Sequence, residues 1–391
     1  MSVPLLSQQD ESQLRITHVT SAVSDAAPGI RAVVEGTIRS LASEPRLSTS
    51  LIGVVPRGTA WGSVGAEGVR CIRADSLPPR SFAYAPGLTS AIDQSLADVI
   101  HQHGLWQYSA EAVRSSCAFS GSVCVVSPHG MLALQARRHH SMRKSFAWAA
   151  YQRKCLIAAD ALHATSAAEL AAIRAVGLRQ PVAIVPPGVG VPSARPRKDR
   201  KELLTAVCIS RLHPLKGIID LVYAWKRVSP SGWKLVIAGP DEGGHAGSIQ
   251  ATIRECGLGE QVALCGGVWA ADRDRLLDSA DLFVLPSHSE NYGLVVAEAL
   301  ARGVPVLTTT GAPWSVLERE RCGWWVPVGA QGLAGGLEDA CRRDRDVLDD
   351  MGRRGWNLAQ NTFNWGASAA KMAGMYRWLA GRGGLPDCVS L

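Results

Sequence analysis

Two glutamates eight residues apart, Glu290 and Glu298, bracket a glycine at Gly293 in SHSENYGLVVAEALARGVPVL, Ser287 to Leu307. An ionised carboxylate only accepts hydrogen bonds, so two of them facing one space suit neighbouring hydroxyls such as a vicinal diol. Glycine lets the backbone come close to a ligand. The amides around Gly293, Leu294 and Val295 would be the unpaired donors of a helix start, which attract a diphosphate. Upstream, Arg211 and Lys216 lie on one short connection just before Gly217. Two cations there would neutralise a diphosphate, the arginine through a fork of hydrogen bonds. If that diphosphate departs in a reaction, fixed cations stabilise the developing charge more than the bound reactant. Either pair alone would be unremarkable, as solvated acids near a helix start or as an exposed basic loop.

The context of the two pairs changes their weight. DLFVLP, Asp281 to Pro286, reads as a buried strand, SHSENYG as the loop at its carboxyl end and LVVAEALARG as a helix ending at Gly303, with Glu298 early in it. AVCISRLHPLKGIIDLVYAW likewise runs from strand to helix, with Arg211 and Lys216 on the connection. Short β-branched runs alternate with helical patterns along the whole chain. In the first half they lie near Ile16–Thr20, Leu51–Val55, Val99–His101, Val123–Ser127, Ala161–Thr165 and Val182–Val185. In the second they lie near Thr205–Ser210, Lys234–Ala238, Val262–Cys265, Leu282–Leu285, Val304–Thr308 and Trp325–Pro327. This alternation predicts α/β structure with parallel sheets covered on both faces. At 391 residues the chain suits two domains. The break is PPGVGVPSARPRKDRK, Pro186 to Lys201, rich in Pro, Gly and charge. Open α/β sheets bind ligands beyond the carboxyl ends of their strands, which is where both pairs fall.

The segment SENYGLVVAEAL resembles the Glu-x7-Glu motif of retaining glycosyltransferases of the GT-B fold, family 4, and the likeness continues into GVPVLTTTGAPW and CGWWVPV. The stretch Arg211 to Gly217 resembles the Arg-x-x-x-x-Lys-Gly diphosphate motif of the same family. The resemblance runs from about Ile16 to Trp378. It implies two Rossmann-like doubly wound domains facing a cleft: residues 1–188 for the acceptor and 200–364 for the donor, with a final helix over 365–380 crossing back to the first. It further implies that Glu298 holds a nucleotide ribose and that Glu290 contacts the donor sugar. Arg211 and Lys216 would act on the diphosphate, and Asn291, Gly293, Leu294 and Val295 would line the donor site. The implied reaction moves a sugar from a nucleotide diphosphosugar, with retention and without an essential metal, to a saccharide acceptor on a lipid diphosphate. Bacterial surface-polysaccharide synthesis is the expected setting. The family carries a Gly-Gly phosphate turn after its first strand, where this chain has SDAAPGIRAVV with Gly29 alone. It also carries Asn-Gly where this chain has PPGV; Pro187 forbids the turn geometry that Asn would allow.

Two histidine motifs follow strands in the first half: VIHQHGLWQY with His101 and His103, and VSPHGML with His129 and Gly130. No acid stands near the first pair, which argues against a metal. The resemblance places His103 and His129 on the acceptor side, His129 near the reacting sugar. Positioning and general-base assistance both stay open for His129, whose imidazole titrates near neutrality.

Ala133 to Lys154, ALQARRHHSMRKSFAWAAYQRK, holds six Lys or Arg and no acid, with Leu134, Phe146, Trp148 and Tyr151 interleaved. A basic amphipathic helix of this kind suits an anionic membrane surface. The whole chain is basic, at a net +7, which favours anionic partners. No aromatic-rich nucleic-acid module accompanies the charge, so nucleic acid is not an expected partner. The N-terminus lacks the pattern of a secretory signal, and no apolar run reaches the roughly 20 residues of a membrane span. The ten cysteines are scattered without a C-x-x-C pair. A cytoplasmic protein, peripheral at the inner face of the plasma membrane, is the expectation. Asp272-Arg273-Asp274 and Asp344-Arg345-Asp346 spell a metal-binding Asp-x-Asp string, but both sit in helical patterns rather than after strands. Neither a G-x-G-x-x-G nor a Walker-type phosphate loop occurs. Two other readings fit the same architecture: a sugar-nucleotide epimerase, and an inactive scaffold for a polysaccharide complex.

Overall fold

A computed structural model describes residues 13–22, 28–61, 67–138, 141–196 and 202–391. The chain forms two compact units. The first comprises residues 1–165, 169–185 and 368–391, and the second 166–168 and 186–367. The boundary falls at the expected Pro-rich segment, whose residues from Pro186 onward group with the second unit. There Val189 N–H donates to Phe363 O at 2.7 Å. A Cβ on Gly188 would lie 2.5 Å from Trp365 Cα, so only glycine permits this close packing. Residues 197–201 of the expected linker, and the first twelve residues, lie outside the described residues.

The first unit holds an eight-stranded sheet. Its strands are β1 (Leu14–Thr20), β2 (Leu47–Pro56), β3 (Arg70–Ser76), β4 (Val99–His103), β5 (Val123–Ser127), β6 (Ala161–Ala164), β7 (Val182–Ile184) and, at the far end of the chain, the short Val389–Ser390. The order is Val389–Ser390, β7, β6, β5, β4, β1, β2, β3, parallel except for Val389–Ser390 against β7. β3 was not legible: RCIRADS mixes charges into a strand that only borders the sheet. One face is covered by Ala112, Val113, Cys117 and Leu156, which pack with Val19, Ile100 and Val126. The other is covered by the helix Trp365–Leu379, whose Ala369, Met372, Ala373, Met375 and Tyr376 pack on Leu14, Ile16, Val99 and Val125.

The second unit holds a six-stranded, all-parallel sheet. It contains β8 (Leu204–Ile209), β9 (Trp233–Ala238), β10 (Val262–Leu264), β11 (Leu282–Leu285), β12 (Val306–Thr309) and β13 (Gly323–Val326), in the order β10-β9-β8-β11-β12-β13. β8 and β11 are therefore central neighbours, so the connections that leave their carboxyl ends emerge side by side. All four residues of β11 are fully buried, as a strand covered on both faces requires.

Candidate functional site

The β8 and β11 connections are joined backbone to backbone. His288 N–H donates to Leu215 O at 2.9 Å. Gly217 sits in the left-handed region at φ +63°, and a Cβ there would stand 2.2 Å from Pro286 O. Any larger residue would push the two loops apart. This contact seats Lys216 Nζ 2.5 Å from Glu290 Oε1. The same carboxylate oxygen accepts the hydroxyl of Ser287 at 2.7 Å, and Ser287 is fully buried. Glu290 N–H donates to Gly311 O at 2.8 Å, tying the loop to the end of β12. Trp314 braces it from below, its indole N–H donating to Tyr292 O at 2.5 Å. Asn291 lies within this braced loop.

Gly293, at φ +79°, turns the chain into the helix Leu294–Ala301. Leu294 and Val295 form the first turn of that helix, whose amides have no partner within it, and a Cβ on Gly293 would stand 3.7 Å from Glu290 Cγ. Glu298 is the fifth of eight helical residues, one turn in. Its carboxylate is paired with Arg273, from the helix Ala270–Asp278. Arg273 comes from the rejected Asp-x-Asp string, and burial lowers its guanidinium pKa. Arg211 is half-exposed and paired with Glu242. The two cations of the motif thus pair with different acids, Lys216 with Glu290 and Arg211 with Glu242. Arg273, Glu242 and Ser287 were not singled out from sequence; only Arg273 left a signal, as a lone cation in an otherwise dismissed motif.

The first unit contributes a second constellation. β1 and β4 pair with His18 opposite His101 and Thr20 opposite His103. Side chains of a strand alternate, so His18, His101 and His103 share one face at the carboxyl end of the sheet. His18 Nδ1 lies 2.9 Å from His103 Nε2, and His103 Nδ1 lies 3.0 Å from His129 Nε2. His101 bonds Tyr376 Oη at 2.5 Å and Ser127 Oγ at 2.6 Å; Ser127 bonds His163 Nδ1 at 2.7 Å. Desolvation dominates all five rings. It holds His18 down to about 3 and His129 to about 4, and lowers His101, His103 and His163. The cluster is neutral near pH 7. His103 and His129 therefore meet directly, as partners in one ladder. His18 and His163 were missed, although each stands near a strand's end as His101 does, in THVT and LHAT. His129 itself takes φ +51° in the turn after β5. Gly29 lies in the first turn of the helix Pro28–Leu41, with nothing within 4 Å of a Cβ built on it. It is not a turn glycine, and the preceding residues 23–27 lie outside the described residues.

Two family descriptions match the chain in tandem: a "Glycosyl transferase 4-like domain" over residues 28–188 and "Glycosyl transferases group 1" over residues 193–356. The chain belongs to the group 1 glycosyltransferases. A D-inositol 3-phosphate glycosyltransferase of Segniliparus rotundus is 32% identical over 224 residues, covering 52% of this chain and 48% of the relative. A GDP-mannose-dependent alpha-(1-6)-phosphatidylinositol monomannoside mannosyltransferase of Mycobacterium tuberculosis is 32% identical over 218 residues, covering 49% of this chain and 55% of the relative. The chain spans about half the length of the curated relatives it matches. Among solved structures, sucrose-phosphate synthase from Thermosynechococcus elongatus superposes with a TM-score of 0.73 at 19% identity, over 94% of this chain and 99% of that one. That likeness establishes the GT-B fold for this glycosyltransferase.

The basic segment of this glycosyltransferase is not one helix. It is broken into Leu134–Arg138 and Ser141–Ala147, a π-helical turn Trp148–Gln152, and Arg153–Ile157; residues 139–140 lie outside the described residues. Trp148 and Tyr151 turn inward: Trp148 packs on the core and Tyr151 O–H donates to Trp106 O at 2.6 Å. Leu134, Met142 and Phe146 are exposed, Met142 at 86%. Among the described residues no helix is long and apolar enough to cross a membrane.

Proposed function

We propose that this glycosyltransferase moves a sugar from a nucleotide diphosphosugar to a saccharide acceptor carried on a lipid, retaining the anomeric configuration and requiring no metal. The observation that carries the reading is the cluster of Lys216, Ser287 and Glu290 beside Gly293, at the carboxyl edges of β8 and β11, with Glu298 on the helix that follows. In this reading the nucleotide diphosphate lies on the helix start, where aligned amides favour anions. Lys216 Nζ passes from Glu290 to the leaving phosphate as its charge grows, which stabilises the transition state more than the ground state. Glu290 then accepts hydrogen bonds from donor-sugar hydroxyls, and Glu298, released by Arg273, takes the ribose diol. Arg211 supplies a second cation once Glu242 gives it up.

A relative whose name specifies GDP-mannose and a phosphatidylinositol mannoside supports both halves of the substrate class. A lipid-borne acceptor also agrees with the exposed Leu134, Met142 and Phe146 amid basic residues, which would seat the first unit on the anionic inner face of the plasma membrane. Polysaccharide assembly in a bacterial envelope is the setting that uses such acceptors.

The test is a thermal-shift panel of UDP-, GDP- and ADP-sugars, followed by transfer of the stabilising sugar to polyprenyl-diphosphate and phosphoinositide saccharides without added metal. Label in the lipid fraction supports the proposal. Release of nucleotide with an altered free sugar and no acceptor would instead mark an epimerase, and the absence of any stabilising nucleotide sugar would mark a scaffold.

A further inference from the structure

The histidines at the carboxyl edge of the first sheet form two hydrogen-bonded chains, and the ends of each decide where its protons sit. In the first chain one end is a carbonyl. Val185 O only accepts, so His163 Nε2, 2.9 Å away, carries hydrogen. His163 Nδ1 then accepts from Ser127 Oγ–H, and Ser127, with its one hydrogen used, accepts from His101 Nε2–H. His101 Nδ1 is left to accept from the hydroxyl of Tyr376. Every tautomer along that path follows from the carbonyl at its end.

The second chain, His18–His103–His129, has no such anchor. Each of its two contacts holds one hydrogen, so three neutral rings have only two arrangements: all Nδ1–H or all Nε2–H. The tautomer of His129 is thereby tied to that of His18. In the all-Nε2–H arrangement, His18 would bury an N–H with no partner among the described residues, because its Nε2 is enclosed and unbonded by them. In the all-Nδ1–H arrangement that atom is a bare lone pair. Orphaned buried N–H groups are the rarer of the two kinds of defect. Charge acts in the same direction. Glu169 bonds the amide of Gly130 at 2.5 Å and lies close enough to act on His129, whereas among the described residues no acid acts on His18. A carboxylate at the His129 end favours hydrogens that point toward that end.

We propose that His18 and His103 are positioning residues that lock His129 as its Nδ1–H tautomer, so that His129 offers a hydrogen-bond donor and not a base. This is the reverse of the tautomer that a free histidine side chain favours. The locked state belongs to the first unit alone. Its use, donation from Nδ1 to an oxygen of the sugar or acceptor, rests on the transferase reading above. The ladder is also distinct from a metal site. Nitrogens of His18, His101 and His103 lie within 4.8 Å of one another. His18 and His103, however, spend facing nitrogens on each other, and both nitrogens of His101 are engaged by Tyr376 and Ser127.

The experiment is a long-range proton–nitrogen correlation spectrum of the full chain with nitrogen-labelled histidine, at pH 7.5, assigned by single substitutions. The expected wild-type result is a protonated Nδ1 and a bare Nε2 on His18, His103 and His129. In His103→Phe, His129 should return to a majority Nε2–H form. A wild-type His129 protonated on Nε2 would overturn the proposal, as would a His129 spectrum unchanged in His103→Phe. Zinc chloride added at one equivalent is expected to leave the spectrum unchanged; ring shifts of His18 and His103 under zinc would replace the ladder with a metal site. The wild-type spectrum decides the tautomer even if His103→Phe fails to fold. Absence of sugar transfer would count against the function proposed above and leave the tautomer result standing.

Discussion

Lys216 and Glu290 form an ion pair at 2.5 Å with side chains only 15% and 12% exposed. A pair so enclosed has lost most of its hydration, so removing one partner leaves the other charge poorly solvated. Lys216→Ala is expected to destabilise the second unit by about 3 kcal/mol and to lower turnover more than donor affinity. Lys216→Ala/Glu290→Ala should cost less than the sum of the single changes, because the double variant leaves no orphan charge. Denaturant unfolding and steady-state transfer kinetics on the four proteins check both statements.

Arg273 pairs with the carboxylate of Glu298. If the ribose takes that carboxylate, Arg273 competes with the donor. Arg273→Ala is then expected to tighten nucleotide binding several-fold with little change in turnover, and Glu298→Ala to weaken it by about tenfold or more, the loss of a charged hydrogen-bond acceptor. Calorimetric titration with the nucleotide diphosphate chosen by the thermal-shift panel reads both. Equal affinity in wild type and Arg273→Ala would remove Arg273 from the donor site.

The buried histidines make the first unit acid-sensitive. His18 is held to about 3 and His129 to about 4, against 6.5 for an ordinary histidine, with desolvation the main cause. Tyr376 packs against His18 and His101 as a neutral phenol, and Glu169 and His163 complete the ionisable surroundings. Because these folded values lie below the unfolded one, the unfolded chain binds more protons once the pH drops below 6.5. Stability is therefore complete above about pH 6.5 and falls as the pH is lowered toward 4, by up to about 1.4 kcal/mol per pH unit for each such histidine. Urea midpoints between pH 5 and 8 should show this slope, and His18→Leu should flatten it.

Leu134, Met142 and Phe146 expose apolar side chains on a basic segment. A triple change to serine removes the apolar contact and leaves the charge. It is expected to reduce co-sedimentation with phosphatidylglycerol vesicles at least tenfold while leaving the thermal shift with nucleotide sugar unchanged. Undiminished sedimentation would mean that another surface, or charge alone, reaches the membrane.

Much of the loop region after β8 and β11 was legible in the chain. The strand–loop–helix runs through β8 and β11 carry local hydrophobic patterning, and Glu290, Gly293, Glu298, Lys216 and Gly217 sit at spacings that such connections impose. Local chain geometry determines those positions, so adjacent sequence reports them. The same reasoning did not reach the partners of side chains that meet residues remote in sequence. Arg211 finds Glu242, 31 residues on. Glu298 finds Arg273 on the preceding helix. Trp148 and Tyr151 leave the basic face because a π-helical turn rotates them inward.

The sequence by itself determined two doubly wound α/β halves and the loops that carry Lys216, Glu290 and Glu298 in the second, because period and spacing along the chain control strands, helices and their connecting loops. Tertiary structure alone decided the pairings of the charged groups and the ladder that joins His18 to His129. Those partners are brought together by strand order and register. His18 and His103 are 85 residues apart along the chain, and only the pairing of β1 with β4 sets them on one face.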